Sequence, residues 1–235
     1  MVNSKLILID GLPGLGKSTT ASAFAARMKA ENLTVNLLLE TQPDHPLNVG
    51  GDLHPAGFTT GEELFKRYTP QAFVEESLIR WHGFIKTASQ SEAINVLDSF
   101  PFQNSVRILL QMDANFDFML TYANQVEALL MPLNPLLIYF NQSDISEAFS
   151  HVDQITAQRG KEWADYVIRL VENCPYAESR NLTGFKGVMA FITEYKQVID
   201  TLLQHSRIPR LMLEHCSGNW DECYRQITAF LGLST

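Results

Sequence analysis

Short, predominantly apolar runs alternate along this chain with longer segments whose apolar residues recur three and four positions apart. The runs are Leu6-Ile7-Leu8-Ile9, Val35-Asn36-Leu37-Leu38-Leu39, Ile94-Asn95-Val96-Leu97, Leu136-Leu137-Ile138-Tyr139-Phe140 and Arg210-Leu211-Met212-Leu213. Continuous rather than alternating apolar character predicts strands covered on both faces. Helical spacing occupies 17–31, 70–89, 115–131, 143–159, 161–173, 187–205 and 221–231. Asn219 or Trp220 stands where the last helix needs a cap, and Asp221 and Glu222 place negative charge at its positive end. Strands alternating with helices predict an α/β fold, a parallel sheet with helices on both faces. No internal repeat or low-complexity linker breaks the 235 residues, so a single domain over 1–235 is expected.

Two stretches leave the alternation. Residues 40–69 hold Pro43, Pro46, Gly50, Gly51, Pro55, Gly57 and Gly61 and predict a long loop, which in a compact domain suggests a binding element. Residues 174–186 predict a second irregular patch. Phe24, Trp81, Phe84, Ile85, Phe191 and Phe230 read as core, and His45 and His54 as surface residues of the long loop.

Composition narrows the function classes. Hydrophobic residues make up 46% and charged ones 19%, the balance of a globular chain. With 18 basic against 26 acidic residues the net charge is -8, which argues against a nucleic-acid or anionic-membrane partner. The N-terminal apolar run stops at Asp10, too early for a signal-peptide core, and Pro132, Asn134 and Pro135 break the other long apolar stretch. A cytoplasmic protein is expected. Cys174, Cys216 and Cys223 are odd in number and lack CxxC spacing, so neither a disulfide framework nor a zinc site is expected.

The chemistry begins at Gly11-Leu12-Pro13-Gly14-Leu15-Gly16-Lys17-Ser18-Thr19. This stretch fits G-x-x-x-x-G-K-[ST], follows a predicted strand and opens a predicted helix, which is the context the motif requires. Its glycines let backbone amides approach a phosphate closely, and successive N–H groups form an anion nest reinforced by the helix dipole. Lys17 is expected to place its charge on the β- and γ-phosphates, and Ser18 its hydroxyl on Mg²⁺.

Three uses of a triphosphate compete: a small-molecule kinase, a regulatory GTPase, and a mechanical or assembly ATPase. Asn141-Gln142-Ser143-Asp144 loosely matches the N-K-x-D guanine reader. A GTPase also wants D-x-x-G after its third strand, where Asp98-Ser99-Phe100-Pro101 ends in proline. The same four residues read equally as a helix N-terminus capped by Ser143. Ile94 to Asp98 supplies an apolar run and one carboxylate, which fits a metal-holding aspartate and a kinase general base alike.

The layout as a whole resembles the thymidylate kinase and deoxynucleoside kinase group. The residues that carry the likeness are the 17–31 helix leading to the strand before Glu40, Asp98 after a strand, the strand-to-helix run 136–149, Arg159 in Ala157-Gln158-Arg159-Gly160, and the closing stretch from Asn219-Trp220-Asp221 to Leu233. The resemblance implies a three-layer P-loop NTPase fold, strand order 2-3-1-4-5, ATP and Mg²⁺ as cofactors, and a helical lid near 159–186. In that lid Arg159 would stack on adenine or cover the γ-phosphate, and Arg180 would be a further lid arginine. A thymidylate kinase carries Asp-Arg at the third strand, whereas Asp98 is followed here by Ser99. With the phosphate-gripping arginine missing, an acceptor bearing a free hydroxyl is expected, as in chloramphenicol phosphotransferase. Dimers are frequent in this group, so a homodimer is among the expected assemblies.

Roles follow from what the transfer needs. Asp98 is placed to accept the acceptor's hydroxyl proton or to hold Mg²⁺ through water. The acceptor pocket is expected beyond the carboxyl ends of the strands. Glu40 and the 40–69 loop would wall it, with Arg80, Phe102 and Gln103 as candidate contacts. The alternative is a GTPase or ATPase switch without an acceptor, whose loops respond to loss of the γ-phosphate.

Overall fold

The computed structural model describes residues 3–42, 44–51, 61–143, 161–214, 216 and 219–233. Five strands form one parallel sheet: β1 (Leu6–Gly11), β2 (Val35–Leu38), β3 (Ile94–Asp98), β4 (Leu136–Phe140) and β5 (Arg210–Leu213), in the order β2-β3-β1-β4-β5. This is the predicted order, and with the Gly11–Thr19 loop after β1 it is the three-layer P-loop α/β fold. β1 and β3 are buried at every position, in keeping with their largely apolar sequences, while the outer strands β2 and β5 keep exposed residues.

Side chains leave the sheet on alternate faces, so each strand feeds two cores. Leu6, Leu8, Leu97, Leu137 and Tyr139 point into one, packed by α3 (Pro70–Ser89), α5 (Phe116–Leu130) and α8 (Gly184–His205). Ile7, Ile9, Val96, Ile138 and Phe140 point into the other, packed by α1 (Lys17–Ala30) and α9 (Trp220–Leu231). α3 begins with Thr69, whose hydroxyl accepts the Ala72 amide, and Pro70 at its first turn. It buries Ser77, Trp81, Phe84 and Ala88, a stripe of three- and four-residue steps. Asn115 caps α5 by accepting from the Phe118 amide.

The structure corrects several expectations. The long loop contains a helix, α2 (Glu62–Arg67), and the second irregular patch contains α7 (Pro175–Arg180) and the first turn of α8. Residues after β3, given no element by the pattern, form a π-helical turn (Phe102–Val106) running into α4 (Arg107–Gln111). α6 (Lys161–Glu172) stands in the expected lid region. The predicted helix over 143–159 falls almost entirely outside the described residues, as do Arg159 and His54. Asn219 occupies the N-cap position of α9 without a side-chain cap bond, and Trp220 is its first helical residue. Cys216 and Cys223 form a disulfide, which the cysteine count and spacing did not suggest, and Cys174 is free. No helix among the described residues is long and apolar enough to cross a membrane.

Candidate functional site

The sheet register brings the site together: Ile9 lies opposite Asp98 of β3, and Gly11 opposite Phe140 of β4. The loop after β1 and the end of β3 therefore emerge side by side at the carboxyl ends of the inner strands. α1 starts behind this loop with Gly16 in the left-handed region (φ 84°), no side-chain cap and no acidic residue in its first turn. The first amides of α1, without a side-chain acceptor, are open to an anion. A Cβ on Gly16 would also run into the indole of Trp220, so the position is doubly restricted to glycine.

Lys17 is buried and turns its Nζ back to donate to the Leu12 carbonyl, 2.7 Å away. Burial lowers its pKa, and the carboxylates of Glu40, Asp10 and Asp98 work in the opposite direction. Ser18 Oγ donates to Asp98 Oδ2 at 2.6 Å, so the hydroxyl and carboxylate expected to share Mg²⁺ are already in contact. The other Asp98 oxygen accepts from Ser99 Oγ at 3.1 Å. A hydroxyl and a carboxylate suit Mg²⁺, which takes hard oxygen donors and keeps its remaining positions for waters and phosphate oxygens.

Glu40, at the end of β2, completes the group around Lys17. Its Oε2 accepts from Gln103 Nε2 at 2.7 Å. Burial raises its pKa, while Arg107 and Lys17 oppose the rise. Two residues named separately as acceptor contacts, Glu40 and Gln103, are thus joined to each other through the π-helical turn.

Asp10 escaped the sequence reading, although a single carboxylate inside Leu6–Gly11 was a signal of its own. It is completely buried, and its oxygens accept from the amides of Gly11 (2.7 Å), Phe102 (2.7 Å) and Gln103 (3.2 Å). Burial pushes its pKa up to about 7 against the pull of these donors and of Lys17. Arg107 was also missed: it is buried, with Nε donating to Gln103 O and Nη1 to Gln111 Oε1, both at 2.9 Å.

The remaining candidates divide. Phe102 is a core residue, edge-on to Tyr139 with ring centres 6.3 Å apart, and contributes its amide rather than its ring. Arg80 pairs with Glu76 (2.8 and 2.7 Å) and reaches the Pro46 carbonyl, in a network that also takes the Tyr68 hydroxyl and the Gly50 amide. It fastens the 46–50 segment to α3. Arg180 pairs with Asp113 at 2.6 Å and lies over the Tyr176 ring at 3.9 Å, so its contacts tie α7 to the end of α4 instead of reaching the P-loop. His45 is buried, not on the surface, and stacks on Phe100 with centroids 4.6 Å apart and planes 5° from parallel. Burial lowers its pKa to about 4, and its Nδ1 accepts from the Leu47 amide at 3.2 Å. Leu12, Pro13, Gly14, Leu15 and Thr19 lie along the loop and the first turn of α1 as the motif requires.

No family model matches the chain, and no curated protein matches it. Among solved structures, the chain is similar to the EHV4 thymidine kinase complexed with TP4A, at 12% identity over 97% of this chain and 90% of that one, with a TM-score of 0.42. It is similar also to a GTPase from Pyrococcus abyssi in its apo form, at 14% identity over the whole of both chains, with a TM-score of 0.37.

Proposed function

We propose that the protein is an ATP- and Mg²⁺-dependent phosphotransferase that acts on a hydroxyl of a small molecule. The observation that carries this reading is the division of labour between two carboxylates around Lys17. Asp98 accepts from Ser18, the pair this reading assigns to the metal, and Glu40 accepts from Gln103, the pair it assigns to the acceptor. A nucleotide hydrolase or switch needs the first; the second is the provision for an alcohol.

Phosphoryl transfer asks the protein for positioning and charge neutralisation more than for covalent chemistry. The amides of Gly11–Thr19 and Lys17 would hold the phosphates, and Ser18 with Asp98 would hold Mg²⁺, which would neutralise charge on the phosphate oxygens. The acceptor oxygen attacks the γ-phosphorus, the bond to the departing ADP oxygen breaks, and the hydroxyl proton passes to Glu40. A carboxylate whose pKa is raised by burial is a better base near neutral pH than an exposed one. Of the two roles open to Asp98 from sequence, the Ser18 contact favours the metal.

ATP consumption measured against a library of hydroxylated metabolites tests the reading. One class of acceptor should accelerate ADP formation and emerge phosphorylated. Hydrolysis of GTP or ATP that no acceptor accelerates would instead support the switch.

A further inference from the structure

Among the described residues Arg107 is the one buried arginine, and no carboxylate pairs with it. Arg27, Arg80, Arg180, Arg207 and Arg225 each pair with Asp or Glu at or near the surface. Arg107 is only 6% exposed, yet its hydrogen bonds go to neutral oxygens, Gln103 O and Gln111 Oε1. Among the described residues no carboxylate lies within ion-pair distance of it. Its Nη2 has no hydrogen-bond partner there either. A guanidinium taken out of water needs an anion or a full set of acceptors, and this one has half a set.

The groups around it are incomplete in the same way. Gln103 spends its Nε2 on Glu40, leaving Oε1 buried and without a partner. The Tyr195 hydroxyl is likewise buried and unpartnered, within electrostatic reach of Arg107 and Glu40. The Gln103 amide oxygen and the Tyr195 phenol are thus buried and unpartnered, and Arg107 Nη2 donates to no described residue, in the neighbourhood of the carboxylate assigned to the acceptor hydroxyl. Unpaired buried polar groups around a guanidinium describe a ligand subsite.

Building on the phosphotransferase reading, we infer that the acceptor is an anion: a hydroxylated small molecule that also carries an oxyanion, carboxylate or phosphate, which Arg107 holds while Glu40 takes the hydroxyl proton. The forked donor geometry of arginine matches both oxyanions. Gln103 Oε1 and Tyr195 Oη would take further hydroxyls of the same molecule. The arginine expected directly after Asp98 is thus replaced by one reached through the π-helical turn.

The test uses the full chain loaded with Mg²⁺ and the non-hydrolysable analogue AMP-PNP, so that the P-loop is filled. Inorganic phosphate, acetate and glycerol are titrated as probes, and thermal unfolding reads binding. Phosphate or acetate should raise Tm and glycerol should not, the stronger of the two anions naming the oxyanion. The phosphate effect should weaken about tenfold in apparent affinity in Arg107→Gln and recover in part in Arg107→Lys, which keeps the charge without the fork. No anion response in the wild type overturns the inference whether or not the variants fold, and so does a response undiminished in Arg107→Gln. Absence of AMP-PNP binding, read by its own Tm shift, would sink the phosphotransferase reading. The contrast between wild type and Arg107→Gln toward phosphate still decides the anchor in that case.

Discussion

The carboxylate of Asp10 accepts the backbone amide of Phe102 at 2.7 Å, although the two residues lie 92 positions apart. One oxygen of the same group takes the amide of Gly11, where the phosphate loop begins. A single buried side chain thereby fixes the start of the phosphate site relative to the turn that carries Gln103 and, one turn later, Arg107. Asp10→Asn keeps the volume but presents an NH₂ toward amide donors. It should destabilise the protein by about 2–4 kcal/mol in urea unfolding, the cost of leaving buried donors unpaired. It should also reduce phosphate transfer more than nucleotide affinity, because the displaced element is the acceptor side.

Asp10 and His45 give opposite pH dependences in one window. The folded-state pKa of Asp10 is raised from 3.8 to about 7, so its contribution is complete below pH 3.8 and is lost as pH rises toward 7. That of His45 is lowered from 6.5 to about 4, so the folded protein holds it neutral, and stability is lost as pH falls from 6.5 toward 4. In His45→Phe the acid-side loss should shrink, and stability should fall more steeply as pH rises between 4 and 7. Unfolding free energies of both proteins across that range check the sign; parallel curves would show that His45 does not titrate as its burial implies.

The parts of this site that were legible in sequence are those determined by local order. The phosphate loop announces itself because glycine spacing, Lys17 and Ser18 are contiguous, and the central strands because both their faces are covered. Asp98 was legible as the carboxylate ending one such strand. His45 was not, because prolines and glycines around it signal a loop, and its burial comes from stacking on Phe100, 55 residues later. Arg107 sits in Arg107-Ile108-Leu109-Leu110-Gln111, a stretch too short for helical periodicity to register. Cys216 and Cys223 are brought together by the entry into α9, which spacing rules do not encode.

That disulfide leads to a further expectation. It closes a short ring, with its cysteines seven positions apart, and holds both sides of Trp220, whose indole packs against Gly16 and, tilted, against Phe140 at 6.2 Å. Loop-closure entropy for a ring this small stabilises by about 2.5 kcal/mol. Cys216→Ser should lower stability by roughly that amount and loosen Trp220 from Gly16. Trp220→Ala should weaken binding of a fluorescent ATP analogue while Trp220→Phe retains most of it. Gly16→Ala should be worse than either, since it introduces both the clash and the left-handed strain, and Trp220→Ala should relieve only the first of these. Equilibrium titrations on the four proteins separate the two contributions.

The contact of Ser18 with Asp98 and that of Gln103 with Glu40 predict different failures for two isosteric changes. Asp98→Asn removes a charge from the metal side, so the Mg²⁺ concentration for half-maximal activity should rise, and Ser18→Ala should do the same. Combined, the two should cost less than the sum of their separate effects, because they share one contact. Glu40→Gln leaves that contact intact; nucleotide and Mg²⁺ affinity should stay close to wild type while the rate of transfer falls about 10²–10⁴-fold, the range for loss of a positioned general base. The acid limb of the pH–rate profile should disappear with it. Lys17→Ala should abolish nucleotide-dependent activity altogether. The deciding measurement is kcat against pH, at saturating Mg²⁺, for Glu40→Gln and Asp98→Asn side by side. If Asp98→Asn loses the acid limb and Glu40→Gln does not, the proton goes to Asp98, and Glu40 belongs to acceptor binding alone.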